Sequence, residues 1–464
     1  MRFWPSSAIF GSLLLTLFLF ACGGSSSNSP TSSTSGNGRV AILFTDGPSE
    51  DYAEVLMTVI KVELLGEDGG RTPLFEGSQV IDLLTLQDFS EAFSLTEGVP
   101  SGSYEKIRLT LSDLELVSKD ESGAIISSIH PKLPGNGKLD LNPRGSFTVT
   151  SGETLMIEID MDVDKSIKIT GNGNGNVQFR PVVFVNVIGS TEVDEESSTD
   201  NVKLSRVQGV IDAITDEGTI RLCDSNIDEC LNVIPTQESA FFSSETGFSD
   251  SATPSIGDKI TAFGNYTSSD NGLAFNAVLI LLGAASDFTT LEGILNSISE
   301  SELVLALGLN QGAFEGSEIS VIPATATLIF DRSGNQLNTS NLTEGTAVSV
   351  TGLLSLSSVS SQLIAALIVV NDQTTTSDGK ISGNVVSPPT DGLMTVQTDA
   401  GDICVDVTES QIFFVGEDSD SGQSIQVDTD ALVAGMEVDI YGEAGDNCTH
   451  ANIIIAFGDD DDDN

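Results

Sequence analysis

One eight-residue pattern recurs three times in the second half of the chain. Gly257-Asp-Lys-Ile260-Thr-Ala262-Phe-Gly264 matches Gly345-Thr-Ala-Val348-Ser-Val350-Thr-Gly352, and both match Gly435-Met-Glu-Val438-Asp-Ile440-Tyr-Gly442. Each copy opens with a similar strand around Gly209, Gly293 or Gly383, spaced 84 and then 90 residues apart. Val233-Ile-Pro-Thr and Val321-Ile-Pro-Ala hold matching places, and Phe242, Phe330 and Phe414 end the strand that follows. An alanine-led apolar strand closes each copy, at Ala277, Ala366 and Ala451. A repeat of this length is one supersecondary unit.

The pattern predicts roughly five strands per copy, each strand marked by period-two alternation. Two glycines bracketing one strand mark places where the chain turns sharply or passes close to another backbone. A small closed barrel meets both demands and leaves no open sheet edge. We therefore expect three small five-stranded β-barrels, closed or partly open, at 206–283, 290–372 and 380–458, with a string of small sandwiches as the alternative. Cys230 and Cys404 each lie 21 residues after their opening glycine, which supports the alignment.

Residues 39–190 differ from the repeats but read as β as well. Strand-like segments recur from Val40–Phe44 to Val182–Val187, and Ile107, Leu109 and Leu111 alternate with more polar neighbours. Pro100-Ser-Gly102 and Pro134-Gly-Asn-Gly137 are turn chemistry. No long amphipathic helix interrupts them, so the expected fold class is all-β, an N-terminal β-sandwich followed by the three barrels. Residues 191–205 read as an acidic linker and 459–464 as an acidic tail.

Several motifs carry a resemblance. Thr45-Asp46-Gly-Pro48, Ile81-Asp82-Leu83-Leu84, the run Val99-Pro100-Ser-Gly102-Ser-Tyr104-Glu-Lys-Ile107-Arg108-Leu109, and Arg180-Pro181-Val182 resemble the bacterial lipoprotein domain-of-unknown-function family 4382. The three repeats resemble a second bacterial family, domain of unknown function 5666. The first resemblance implies an exported β-rich module and carries over no catalytic residue; the second implies an OB-like barrel in each repeat.

The start of the chain reads as an address. Arg2, an apolar run from Ile9 to Phe20, and Leu19-Phe-Ala-Cys22 form a lipoprotein signal peptide over 1–21. Cys22 is the expected lipidation site, and its acyl chains are the expected contact with membrane. Residues 22–38 are a Ser/Gly-rich tether. Gly23 stands where an inner-membrane retention signal has Asp, so the expected location is the bacterial cell envelope, at the outer membrane, with the mature part periplasmic or surface-exposed. Removal of 1–21 takes one of 19 Lys+Arg and none of 68 Asp+Glu, so the formal charge moves from −49 to −50. Such a chain lacks the basic footprint that nucleic acid requires. Four cysteines besides Cys22 suit an oxidising compartment. Of their three possible pairings, Cys223–Cys230 and Cys404–Cys448 keep each bridge within one repeat.

Asp160, Asp162 and Asp164 are the candidate metal ligands. On a strand, period two would place all three on one face, where calcium would relieve their repulsion. Asn172, Asn174 and Asn176 could add oxygens, and Glu417-Asp418-Ser-Asp420 is a second acidic loop. Catalysis is not expected: His130 and His450 are the only histidines, both in surface-like contexts, and no nucleophile motif accompanies them. A glycan platform would need exposed aromatic rings. The one tryptophan, Trp4, lies in the signal peptide, leaving Tyr52, Tyr104, Tyr266 and Tyr441, while the phenylalanines read as core. The expectation is a non-catalytic interaction, adhesion or scaffolding protein with an unknown protein or glycan partner. A calcium-binding envelope protein is the first alternative, and an array of carbohydrate-binding modules the second.

Overall fold

A computed structural model of the chain describes residues 36–46, 52–66, 69–120, 123–143, 145–170, 176–188, 203–223, 230–249, 253–269, 272–299, 301–307, 317–332, 334–356, 361–371, 381–390, 392–398, 401–408, 410–416, 424–445 and 448–458. The signal peptide, Cys22, most of the tether and of the acidic linker, Asn172 and Asn174, the Glu417–Asp420 loop and the acidic tail lie outside the described residues.

The N-terminal region contributes β1 (Asn37–Asp46), β2 (Glu54–Gly66), β3 (Arg71–Asp82), β4 (Glu91–Pro100), β5 (Gly102–Lys119), β6 (Ile125–Ile129), β7 (Lys138–Leu141), β8 (Phe147–Val149), β9 (Thr154–Asp162), β10 (Ile167–Thr170), β11 (Asn176–Phe179) and β12 (Val182–Ile188). One sheet runs β12-β9-β1-β4. The other runs β3-β2-β5-β6, with β7 and β8 also on β5. Alternation places Ile107, Leu109 and Leu111 of β5 inside, opposite Val40, Ile42 and Phe44 of β1 and Ile157, Ile159 and Met161 of β9. This is the expected sandwich. Its first sheet is mixed, because β1 runs parallel to β9.

The first repeat supplies β13 (Ser205–Ile214), β14 (Ile220–Cys223), β15 (Cys230–Ser243), β16 (Gly247–Phe248), β17 (Lys259–Ser269) and β18 (Gly272–Leu282). The second supplies β19 (Thr289–Ile298), β20 (Leu303–Leu307), β21 (Glu318–Asp331), β22 (Gln336–Leu337), β23 (Ala347–Leu356) and β24 (Ser361–Asn371). The third supplies β25 (Ile381–Thr390), β26 (Leu393–Thr398), β27 (Gly401–Asp406), β28 (Gln411–Gly416), β29 (Ser424–Val427), β30 (Glu437–Ala444) and β31 (Thr449–Gly458). In the first, β14-β13-β17-β18-β15 closes through the β14–β15 pairing, and β15 runs parallel to β18. The second repeats this with β20-β19-β23-β24-β21. In the third, the corresponding middle strand is broken into β27 and β28, both parallel to β31. All three are the small five-stranded closed barrels expected of an OB-like fold.

The repeat glycines have two distinct physical causes. Gly257, Gly345 and Gly435 hold φ of 93°, 91° and 91°, the left-handed region where a side chain is strained. Gly264, Gly352 and Gly442 sit at bulges, and a Cβ there would lie 1.9, 2.0 and 2.0 Å from the carbonyl oxygens of Asn276, Ile364 and His450.

The structure also corrects the alignment of the repeats. Gly264 pairs with Ala277, Gly352 with Ala365 and Gly442 with Ala451, so Ala365 rather than Ala366 is the equivalent alanine. The hydroxyls of Ser239, Thr327 and Ser410 donate to the carbonyls of these alanines at 2.6, 2.7 and 2.6 Å. Three residues beyond each hydroxyl lie Phe242, Phe330 and Phe413, so Phe413 replaces Phe414 in the series. Both slips have one cause: these strands are apolar on both faces, so alternation does not fix their register.

Those phenylalanines are not barrel core. Phe242 and Phe330 meet in a cluster with Phe89, Phe263, Leu279, Leu281, Leu367 and Val369, which joins the first barrel to the second. Phe413 joins Tyr441, Ile455 and Phe457 against Val182 and Phe184 of β12, so the third barrel docks on the sandwich through its equivalent surface. The outward face of β1 and β9, through Ala41, Leu43 and Met156, completes the core cluster of the first barrel. The modules from Gly36 to Asn464 form one compact unit.

Candidate functional site

The junction of the sandwich with the first barrel is made by hydrogen bonds as well as apolar contact. Ser90 and Ser205 form a parallel bridge: the Ser90 N–H donates to Leu204 O at 3.1 Å and the Arg206 N–H to Ser90 O at 2.9 Å. Leu204 and Ser205, read from sequence as linker, are buried here. Tyr266 Oη accepts from the Ala92 N–H and donates to Arg206 O, both at 3.1 Å. The Arg206 guanidinium pairs with Glu91, donates to Thr85 O at 3.0 Å, and lies 5.1 Å from the Phe89 ring.

Beside this junction the two modules diverge and leave a cleft of about 750 Å³, within the range typical of ligand pockets. Gln79, Val80, Ile81 and Asp82 of β3 form one wall, and Arg206 to Val210 of β13 the other. Phe44, Leu86 and Phe93 of the sandwich core line its floor. Val80 and Val210 line it from opposite walls and are 60% and 41% exposed. Asp82, Glu91, Arg206 and Lys259 are its charged residues. Segments separated by more than a hundred residues build this cleft, and no local motif marks it.

The candidate metal ligands lie elsewhere, and the row is not the one expected. β9 ends at Asp162, and Val163–Ser166 is a helical turn. Asp164 therefore leaves the strand face and is exposed, and Glu158 takes its place in a row with Asp160 and Asp162. Asp162 caps the turn, accepting from the Lys165 N–H at 3.0 Å, and its carboxylate pairs with the Lys165 ammonium at 2.9 Å. Lys203 Nζ lies 3.9 Å from Asp160. Asp46 adds a fully buried carboxyl whose Oδ1 accepts from the Val163 N–H at 3.0 Å. From the second barrel, Arg332 reaches in and pairs with Asp88 at 3.4 Å.

Burial dominates the electrostatics of this acidic centre. It pushes the Asp46 carboxyl up to about 9, with the Val163 N–H pulling down and Asp160 and Asp162 adding to the rise. It pushes Glu158 up to about 7, helped by Asp160 and opposed by Lys203. Asp160 is raised as well, by burial first and against Lys203. Asp46 Oδ2, Glu158 Oε2 and Asp160 Oδ1 are buried without a hydrogen-bond partner. Among the described residues no three His, Cys, Asp or Glu side chains are grouped to hold a metal ion.

The remaining candidates are placed as follows. Cys223–Cys230 and Cys404–Cys448 are both disulfides. His130 is exposed beside Asp113 at 3.0 Å, and His450 is exposed 3.2 Å from Asp406. Tyr52, Tyr104 and Tyr441 are buried, and Tyr266 is the junction clamp. No curated protein matches the chain. The family described as domain of unknown function (DUF4382) matches residues 37–181, the sandwich from β1 to the residue before β12.

Proposed function

We propose that this is a lipid-anchored protein of the bacterial cell envelope, held at the outer membrane through Cys22, with a non-catalytic binding role exercised by the cleft between the sandwich and the first barrel. The cleft carries the reading: an apolar floor of Phe44, Leu86 and Phe93, a few fixed polar groups, and walls held by the Arg206–Glu91 and Tyr266 contacts. The signal-peptide pattern and the match to the DUF4382 family, which resembles an exported lipoprotein domain, support the envelope assignment. The protein acts as a receptor held by its lipid anchor, where anchoring raises its effective concentration at the membrane.

Two measurements test this. Radiolabelled palmitate should enter the wild-type chain and not Cys22→Ala. A photo-crosslinking side chain at Val210 should capture envelope components that one at Ile256, an exposed control, does not. Equal capture at both positions removes the cleft from the account.

A second reading, calcium binding, is favoured by the unpartnered oxygens of Asp46, Glu158 and Asp160. It predicts a rise in melting temperature with millimolar calcium after chelation, abolished by Asp160→Asn. No shift would remove it.

A further inference from the structure

We infer that the ligand of the cleft is an extended polypeptide segment that adds as a strand to the outer edge of β3; this rests on the binding role proposed above. Both sheets of the sandwich end at the cleft, and the two edges are treated differently. The outer edge of β4 is covered: Ser90 by the bridge to Ser205, and the Ala92 N–H by Tyr266. Farther along, the Thr96 hydroxyl closes onto Leu74 O of β3. β3 is the terminal strand of its sheet, and among the described residues no strand pairs with its outer edge. Backbone N–H and C=O groups require partners, and exposed edges are ordinarily blunted by charge, proline or a covering element. Gln79-Val80-Ile81 carries no charge and no proline, and it faces an open cleft.

The opposite wall offers less open edge: β13 pairs β17 over Ser205–Val210 and β14 over Val210–Ile214, and the Ser90 bridge takes Ser205 and Arg206. A segment laid on β3 would send alternate side chains toward Phe44, Leu86 and Phe93 and the others toward solvent. The cleft's two acids and two bases balance, so the formal charge of −49 sets the long-range preference and draws basic segments. The occupant is therefore an extended segment alternating apolar and basic residues.

The probe is a short fluorescein-labelled peptide of alternating valine and lysine, titrated by anisotropy into the full-length protein in detergent. A second peptide has the same side chains and alternate backbone amides N-methylated, which removes strand hydrogen bonds and keeps the charge. The expected result is saturable binding of the first and roughly tenfold or greater weakening of the second, the loss of one or two hydrogen bonds. Val80→Lys and Val210→Lys alter exposed side chains and should leave the fold intact. Val210→Lys should weaken the first peptide by like-charge repulsion, and Val80→Lys, which also blunts the edge, should weaken it further. Equal binding of both peptides overturns strand addition while leaving the cleft as a binding site. So does an oligosaccharide probe that binds and is lost with Val210→Lys when neither peptide binds. Peptide binding indifferent to both substitutions overturns the inference and the cleft reading together.

Discussion

Leu43→Ala distinguishes one fused body from a chain of separable modules. Leu43 lies on the outward face of β1, away from the sandwich core, and yet is 2% exposed because the first barrel covers it. In separable modules this side chain would be at the surface, and its truncation would change stability by about 0.5 kcal/mol or less. In the fused body it leaves a cavity at a core shared by two modules, at a cost of about 2–4 kcal/mol. For a cooperative unit of this size, about 3 kcal/mol lowers the melting temperature by roughly 3 °C. Calorimetry of residues 36–464 of the wild type and the variant reads this directly. A shift near zero would refute the shared core, and with it the fixed walls of the cleft.

Three further outcomes follow from particular groups. The raised carboxyls of Glu158 and Asp46 are protonated in the folded state over a range where the unfolded chain has lost those protons. Stability therefore falls as pH rises from near 4.5 toward 7 for Glu158 and on toward 9 for Asp46; Glu158→Gln should flatten the first part of that fall, as read by urea midpoints between pH 5 and 8. Chain entropy assigns the 44-residue span of Cys404–Cys448 about 4 kcal/mol and the 7-residue span of Cys223–Cys230 about 2.5, so a Cys404→Ala, Cys448→Ala double variant should melt earlier than the corresponding Cys223, Cys230 variant. Gly352→Ala should destabilise more than Gly345→Ala, because the first drives a Cβ into Ile364 O while the second meets only φ strain, about 1 kcal/mol; equal midpoints would contradict the close-approach explanation.

The β class, the barrels and both disulfides are legible in alternation, glycine spacing and cysteine placement. The packing of the modules against one another is less so, although a signal is present. Val40-Ala-Ile-Leu-Phe44 is a continuous apolar run, and a strand that hides both faces reads that way; a sandwich strand with a solvated outer face would alternate. The same double burial hides the register of the closing strands, hence the one-residue slips at Ala366 and Phe414. Asp164 was misplaced because no strong breaker follows Asp162, and the turn is set by the Asp162 cap and the Lys165 pair. The cleft has no sequence signal because it is built from segments around residues 80 and 210 that the Ser90–Ser205 bridge, the Tyr266 clamp and the Arg206–Glu91 pair bring together.

Small-angle scattering of residues 36–464 tests the central claim, that sandwich and barrels form one body with a fixed cleft. A compact unit of that length has a radius of gyration of about 22 Å. Modules joined end to end, each near 13 Å alone, would give a value well above about 30 Å. A value near 22 Å that persists on dilution supports the account, and one above 30 Å contradicts it.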